Sequence, residues 1–279
     1  LLLLILFAMG FLSALLMNDT LAIIGTPLML YLAQALRISP KLLLLTLAFA
    51  VTTGSAMSPI GNPQNLLIAI NGSLTNPFLV FFQYLFIPTV ANLVLAYLLL
   101  RLFYKSQFQQ TAIEIPKECI SDPTLANISR ISIILLLILI LAKVLAVTVQ
   151  SSQHFSLTYI AIFSALPVIL FSSRRWEIMK HIDWCTLVFF AAMFVLMDSV
   201  WRSGFFQSMM EESSLGFGSI PVILALSVFL SQIISNVPFV ALFQPLLINP
   251  SAQDLMALAA GSTIAGNLFI LGAASNVII

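Results

Sequence analysis

Charged residues are scarce in this sequence of 279 residues. Asp, Glu, Lys and Arg together make up 8% of the chain, whereas hydrophobic residues make up 61% and the mean hydropathy is +1.10. A soluble domain with so few charges would have little polar surface to present to water, so this composition excludes a soluble globular protein. It predicts an all-α polytopic membrane protein whose surroundings are the lipid bilayer.

Net charge and cysteine content exclude further classes of protein. The net charge is +1 at pH 7, which argues against a nucleic-acid partner. The two cysteines, Cys119 and Cys185, have neither a CxxC nor a His-paired spacing. We therefore expect no disulfide framework, no cofactor and no metal site built from cysteine.

Two polar, turn-forming clusters interrupt the apolar sequence near its beginning. The first is Asn18-Asp19-Thr20, and the second, residues 54–65, is rich in Gly, Ser, Asn and Pro. In lipid an unpaired backbone amide or carbonyl costs several kcal/mol, so irregular backbone persists at membrane depth only where protein buries it or water reaches it. The clusters therefore predict a binding site inside the membrane.

Short apolar arms, residues 1–16 and 21–36, flank the first cluster. Because about 20 apolar residues are needed to cross a bilayer, residues 1–36 are predicted to form a re-entrant helical hairpin whose tip is the cluster. Asn and Asp at the tip suit the N-cap of the second arm. The second cluster interrupts residues 42–71, which predicts a broken transmembrane helix.

A transmembrane span is predicted over residues 78–100, so the first repeat covers residues 1–104. The hairpin then recurs near the end of the chain, because six of its residues reappear at an offset of 218. They are Phe229, Leu230, Ser231, Asn236, Pro245 and Leu246, which match Phe11, Leu12, Ser13, Asn18, Pro27 and Leu28. These identities predict a second hairpin over residues 219–248.

A second broken helix is predicted over residues 252–279. Gly272 and Asn276 match Gly61 and Asn65 of the first broken helix at an offset of 211. The second repeat therefore covers residues 131–279, and we expect it to be truncated, since the chain stops inside a patterned segment and begins without Met.

Five crossings are predicted between the two hairpins, and an odd number gives the repeats opposite orientation. They begin near Leu42, Phe78, Ile131, Leu157 and Trp184, and the last three cover residues 131–149, 157–171 and 184–200. Basic residues support this inverted topology, because loops on one side hold nine of them and loops on the other hold Arg202. The nine are Arg37, Lys41, Arg101, Lys105, Lys117, Arg130, Arg174, Arg175 and Lys180. The positive-inside rule then makes residues 105–130 a cytoplasmic connector, and we expect the inner membrane of a prokaryote.

Inverted repeats whose broken helices meet near the bilayer midplane are typical of secondary transporters. In such carriers half-helix N-termini face anionic groups, and unwound backbone carbonyls hold cations. The pattern therefore predicts a secondary transporter rather than an enzyme.

Four motifs in this order and spacing resemble the ion transporter superfamily. They are Asn18-Asp19-Thr20, Gly61-Asn62-Pro63-Gln64-Asn65, Ser235-Asn236-Val237 and Gly272-Ala273-Ala274-Ser275-Asn276. That superfamily includes divalent anion:sodium symporters, citrate transporters, arsenite permeases and sodium/proton antiporters. The resemblance implies an elevator-type carrier, usually a homodimer, in which hairpins and broken helices carry substrate past a fixed scaffold.

The resemblance also implies two sets of site residues. The implied substrate-binding residues are Asn18, Thr20, Asn62, Asn65, Ser235, Asn236, Ser275 and Asn276. The residues implied in cation or proton coupling are Asp19, Asn18, Gly61, Asn236 and Gly272. Asp19 also stands out by its chemistry, because an acidic residue inside a membrane is costly and is functional by default.

Departures from the symporter pattern leave the branch of the superfamily open. The first tip has Asn-Asp-Thr where symporters have Ser-Asn-Thr, and this pair looks more like the arsenite permeases. Val237 stands where Thr is expected, and Ala273-Ala274 stand where Pro is usual. Three properties therefore stay open. The substrate is an inorganic oxyanion or a di- or tricarboxylate, the coupling ion is sodium or a proton, and transport is either import or efflux.

Other transporters, an intramembrane enzyme and a channel are the alternatives to an anion carrier. A sodium/proton antiporter or an arsenite-type efflux permease fits the same four motifs. An intramembrane enzyme would need an aspartyl dyad, for which Asp19 and Asp198 are the candidates, but they are predicted at different depths and lack a GxGD context. Asp198 is instead predicted to form an i,i+4 ion pair with Arg202. A channel filter is normally built by symmetry from short pore loops, which this pattern does not predict.

Overall fold

A computed structural model describes residues 1–108, 122–148, 156–205, 207–208, 218–269 and 273–279. Every regular element in these ranges is a helix, in agreement with the predicted all-α membrane fold. The α-helices are α1 (Leu2–Leu16), α2 (Asn18–Leu36), α3 (Pro40–Ser55), α4 (Pro63–Asn71), α5 (Pro77–Phe103), α6 (Pro123–Thr148), α7 (Leu157–Phe171), α8 (Arg175–Lys180), α9 (Trp184–Arg202), α10 (Ile220–Ile234), α11 (Asn236–Phe243), α12 (Ala252–Ala265) and α13 (Ala274–Ile278). Short 3₁₀ helices, Lys105–Phe108 and Gln244–Leu246, follow α5 and α11.

Length and composition make the protein an integral membrane protein. Among the described residues, four helices are long and apolar enough to cross a bilayer: α2, α5, α9 and, within α6, Pro123–Ala146. The helix α2 was predicted as a hairpin arm too short to cross. It reaches a spanning length because the helix begins at Asn18 and takes in the polar residues of the tip.

The predicted connector over residues 105–130 ends too late, because α6 already begins at Pro123. Proline suits the first turn of a helix, where its missing N–H is not needed. The Asp122 carboxylate accepts a hydrogen bond from the backbone N–H of Leu125 at 2.9 Å, which satisfies another free donor of that turn. Residues 109–121 of the predicted connector lie outside the described residues. The basic loop predicted after α7 contains the short helix α8.

The chain divides into two compact units. One unit, Pro116–Ala191, contains α6, α7, α8 and the first turns of α9, and its α7 packs on both α6 and α8. The other unit, Leu1–Ile115 with Ala192–Ile279, contains both predicted hairpins and both predicted broken helices. The candidate site residues therefore all belong to this larger unit.

Glycines allow the closest helix contacts of the larger unit. The helices α1 and α3 meet where a Cβ atom on Gly54 would lie 2.1 Å from the carbonyl oxygen of Gly10. In the second half, α10 and α12 meet where a Cβ atom on Gly261 would lie 2.6 Å from the Cβ atom of Ser227. Any larger residue at Gly54 or Gly261 would therefore push a hairpin arm away from its broken helix.

The two halves of the larger unit also exchange contacts. The helix α4 of the first half packs on α11 and α12 of the second, and α13 of the second half packs on α2 and α3 of the first. Each broken helix therefore meets the hairpin of the other half. This exchange brings polar residues that are distant in the sequence into one buried region.

Candidate functional site

Each hairpin tip is a single residue between two helices. Met17 separates α1 from α2 with φ 66° and ψ 136°, and Ser235 separates α10 from α11 with φ 69° and ψ 159°. A positive φ is uncommon for residues other than glycine, and these two residues are 218 positions apart in the chain. The backbone therefore turns in the same way at both tips.

The N-cap interpretation of the first tip is wrong. Met17 occupies the N-cap position, no side chain caps this end of α2, and Asn18 and Asp19 are the first helical residues. The positive φ of Met17 breaks the helix one residue before the polar pair. Both polar side chains contact another segment, and the Asn18 side chain also accepts from the first turn of its own helix.

The first tip contacts both breaks. The backbone N–H of Asn18 donates to the carbonyl oxygen of Gly61 at 2.9 Å, and its side-chain Nδ2 donates to the Ser275 hydroxyl at 3.4 Å. The Asn18 Oδ1 atom accepts from the backbone N–H of Asp19 at 2.9 Å. Asp19 is 9% exposed, and its carboxylate accepts from the backbone N–H of Ser275. Four predicted residues, Asn18, Asp19, Gly61 and Ser275, thus lie together.

The break between α3 and α4 closes around Asn65. The Nδ2 atom of Asn65 donates to the carbonyl oxygens of Ser55, Ala56 and Ser58 at 3.2, 3.2 and 3.0 Å. The Oδ1 atom of Asn62 accepts from the backbone N–H of Asn65 at 2.8 Å and caps α4. These contacts satisfy unwound backbone that lipid would not tolerate.

Two threonines connect the broken helices to each other. The Thr52 hydroxyl donates to Oδ1 of Asn276 at 3.4 Å, and the Thr263 hydroxyl donates to Oδ1 of Asn65 at 3.5 Å. The two threonines are 211 positions apart, as are the two asparagines. Thr52 and Thr263 were not among the predicted site residues, although their match at the offset of 211 could have identified them.

Asparagine side chains add further contacts between the breaks. Asn62 Nδ2 donates to the Thr263 hydroxyl at 3.2 Å and to the Ser55 hydroxyl at 3.0 Å. Asn267 Nδ2 donates to the Thr53 hydroxyl at 3.2 Å. The site is therefore a buried network of neutral amides and hydroxyls next to one acidic group, Asp19.

The second tip is buried but its polar atoms are poorly satisfied. Asn236 is 5% exposed, and its Oδ1 atom has no hydrogen-bond partner among the described residues. The same is true of the Ser231 hydroxyl and of the Gln232 Oε1 atom in the preceding turn. Gln232 is held through its other atom, since Nε2 donates to the carbonyl oxygen of Ala265 at 2.7 Å.

The remaining predicted residues lie elsewhere. Thr20 and Ser235 are at the tips with exposed side chains, and Gly272 lies outside the described residues. Asp198 forms the predicted i,i+4 ion pair with Arg202 at 2.8 Å, which confirms that interpretation. With its carboxylate in an exposed ion pair, Asp198 contributes nothing to the buried network around Asp19.

The family model described as citrate transporter matches residues 1–279, the whole chain. The chain belongs to the citrate transporter family. Membership of the citrate transporter family confirms the resemblance to the ion transporter superfamily. No solved structure matches the chain.

Several relatives of the chain are named as membrane proteins or transporters. The 46 kDa membrane protein of Mycobacterium leprae (strain TN) is 26% identical over 100% of the chain, which covers 67% of that relative. An uncharacterized transporter of Mycobacterium tuberculosis is 29% identical over 95% of the chain and 65% of the relative. The human P protein is 25% identical over 96% of the chain and 43% of the relative. The chain thus spans between 43% and 67% of the length of these three relatives.

Proposed function

We propose that the protein is a secondary active transporter that moves a small anion across the cytoplasmic membrane by elevator-type alternating access, coupled to sodium or protons. The anion is an inorganic oxyanion or a di- or tricarboxylate, and the carrier acts as a homodimer. The observation that carries this proposal is the meeting of the first tip with both breaks, through Gly61 and Ser275. One binding region is thereby shared between two halves, as alternating access requires.

Matched geometry in the two halves supports the inverted repeats of this proposal. Met17 and Ser235 have the same unusual backbone conformation at the offset of 218. The contact of Thr52 with Asn276 and the contact of Thr263 with Asn65 are equivalent at the offset of 211. The matched backbone conformation and the matched contact thus occur at the same two offsets, 218 and 211, as the matched residue identities. This agreement supports an internal repeat.

The chemistry of the site favours an anion together with a cation or proton. Side-chain amides and hydroxyls of Asn18, Asn62, Ser275 and Asn276 supply donors that an anion can accept from once it displaces their present partners. Asp19 is the acidic group of the buried network, and a carboxylate in this setting can hold Na⁺ or exchange a proton. The oxygen atoms without partners at the second tip, including Oδ1 of Asn236, are ligands of the kind that Na⁺ prefers.

The buried carboxylate of Asp19 also supports a second candidate function. A sodium/proton antiporter or an arsenite-type efflux permease would use the same tips and breaks, with Asp19 as the group that exchanges the ion. Thermal stabilisation of the purified full-length protein separates the candidates, because a ligand that binds the folded state raises its apparent stability. A stabilisation by citrate or sulfate that depends on Na⁺ or on pH favours the anion carrier. A stabilisation by arsenite, or a response to Na⁺ and pH that no anion changes, favours the second candidate.

The shared site itself is tested with Asn18→Ala and Asn236→Ala. Each variant should abolish uptake into proteoliposomes while leaving membrane insertion intact. Asn92→Ala is a matched control, because Asn92 is a half-buried residue of α5 whose Nδ2 atom donates to the carbonyl oxygen of Pro88 within the same helix. Normal uptake by either tip variant would reject a site built from both halves.

A further inference from the structure

The two hairpin tips have the same backbone conformation but differ in how their polar side chains are satisfied. Both Met17 and Ser235 adopt a positive φ with extended ψ, a region that residues with a Cβ atom seldom occupy. Backbone strain at the two tips is therefore alike. A difference in behaviour between the tips must come from the contacts that surround them.

At the first tip the polar side chains have partners. The Ser13 hydroxyl donates to the carbonyl oxygen of Gly10 at 2.9 Å, and the Asn18 side chain both donates to Ser275 and accepts from Asp19. The backbone N–H of Asn18 is also bound, at 2.9 Å from the carbonyl oxygen of Gly61. The side chains of Ser13 and Asn18 and the backbone N–H of Asn18 thus all have partners at the first tip.

At the second tip the equivalent oxygens lack partners among the described residues. Ser231 and Asn236, the counterparts of Ser13 and Asn18 at the offset of 218, are 1% and 5% exposed, and neither side-chain oxygen accepts or donates a hydrogen bond. The Oε1 atom of Gln232 is also buried without a partner. Buried polar atoms without partners are rare in native structures, because they have lost water and gained nothing in exchange.

We propose that the second tip, Ser235–Val237, is the mobile gate of the carrier, whereas the first tip, Met17–Asp19, stays docked on the breaks. Movement of the second tip exposes Ser231, Gln232 and Asn236 to water or substrate, so it satisfies three oxygens that the present conformation leaves unpaired. Movement of the first tip would break the hydrogen bonds of Asn18 with Gly61 and Ser275. The second tip would give up the bond from Gln232 Nε2 to Ala265, but it would gain partners for three oxygens. A gating role rests on the proposed transport function, but the difference in mobility between the two tips can be measured without transport.

Backbone hydrogen exchange of the purified full-length protein, without added substrate, measures this asymmetry. Backbone amides of Val237 and residues 239–241 should exchange at least about tenfold faster than those of residues 19–22, since local opening sets the exchange rate. Equal rates at the two tips, or faster exchange at the first tip, would overturn the proposal. Because α11 is shorter than α2, a matched pair of variants is needed to separate gating from fraying.

Ser13→Ala and Ser231→Ala form that matched pair. Ser231→Ala removes a buried hydroxyl that has no partner, so it should stabilise the docked second tip and slow exchange at residues 237–241 by about threefold or more. Ser13→Ala removes a hydroxyl that has a partner, so exchange at the first tip should stay the same or become faster. A second tip that exchanges as fast or faster after Ser231→Ala would overturn the proposal.

Failure of the gate and failure of the proposed function are distinguishable. If no anion is transported but the exchange rates differ as expected, the transport proposal fails while the mobile second tip stands. If transport depends on Asn18 and Asn236 but the two tips exchange alike, the shared site stands and the gate is rejected.

Discussion

The hydroxyl of Thr52 donates to the side-chain oxygen of Asn276 at 3.4 Å, across the gap between the two broken helices. Thr263 and Asn65 form the same contact in the opposite sense, at 3.5 Å. Each broken helix therefore supplies one hydroxyl and one carboxamide to the other. Because both asparagines also bind backbone carbonyls of their own break, through Ser55 in one case and Gly266 in the other, these contacts join the two unwound segments.

Replacing either threonine by valine tests this junction. Thr52→Val and Thr263→Val keep the shape of the side chain and remove the hydroxyl, so each should destabilise the protein by about 0.5–1.5 kcal/mol. The measurement is the apparent melting temperature of the purified protein. Thr263→Val should have the larger effect, since the Thr263 hydroxyl also accepts from Asn62. Equal melting temperatures for both variants and the parent would show that the long contacts are not stabilising.

Neutralising Asp19 should uncouple transport from its driving ion. Asp19→Asn keeps the size of the side chain but can neither hold a cation by charge nor exchange a proton, so uptake driven by a Na⁺ or pH gradient should fall by at least about tenfold. Substrate counterflow without an ion gradient should be retained. Both are measured in proteoliposomes.

Asp254→Asn is the control for that experiment. Asp254 is also an acidic residue in the first turn of a helix, but it forms a capping box with Ser251 at the exposed start of α12. Its neutralisation should leave coupling unchanged. Full gradient dependence of the Asp19→Asn variant would remove Asp19 from the coupling mechanism.

A single methyl group at Gly54 should separate the first hairpin from its broken helix. The added Cβ atom would lie 2.1 Å from the backbone of Gly10, which no side-chain rotation can relieve. Gly54→Ala should therefore destabilise the protein by about 3 kcal/mol or more, or prevent its folding. Gly218→Ala is the control, because a Cβ atom there meets open space. A Gly54→Ala protein with the parent's melting temperature would contradict the close packing of α1 on α3.

Removing the cap of α4 should weaken the first break. Asn62→Ala deletes the acceptor of the Asn65 N–H and the donor to both Thr263 and Ser55, so a loss of about 1–2 kcal/mol is expected from the cap alone. The apparent melting temperature again measures it. Restoration of stability by Asn62→Asp, which keeps the cap oxygen but not the donor, would assign the effect to capping. No loss in Asn62→Ala would exclude a structural role for this cap.

Much of the helical organisation was predictable from local sequence. The helix α7 has the bounds predicted for residues 157–171, although it is shorter than the helices that can cross a bilayer. The polar interruption predicted within residues 54–65 contains the observed break between Ser55 and Pro63. Hydrophobic runs and polar interruptions are local properties, so single-sequence patterns report them well. The start of α6 was missed because Pro123 and Asp122 act as an N-terminal signal within a polar segment. The inverted orientation of the repeats stays a prediction.

Pairing between distant segments was harder to predict. Asn18 and Gly61 were expected in one site, and they do meet. Thr52 and Thr263 were not singled out, and the unpaired hydroxyl of Ser231 was not expected, because threonine and serine in an apolar helix often satisfy their hydroxyls on their own backbone, as Thr46 does on Leu42. The partners of the two threonines become evident only once helices distant in the sequence are packed together.

A helical membrane protein with two polar tips and two polar breaks could be predicted from the amino-acid sequence alone. The physical reason is the cost of unpaired backbone in lipid, which confines irregular segments to buried sites and makes them recognisable in an apolar chain. Which tip meets which break follows from the packing of the helices. The same packing leaves the side-chain oxygens of Asn236 and Ser231 without partners among the described residues, while those of Asn18 and Ser13 have partners. These outcomes depend on packing between residues more than 200 positions apart, such as Asn18 and Ser275, and no local pattern encodes such an approach.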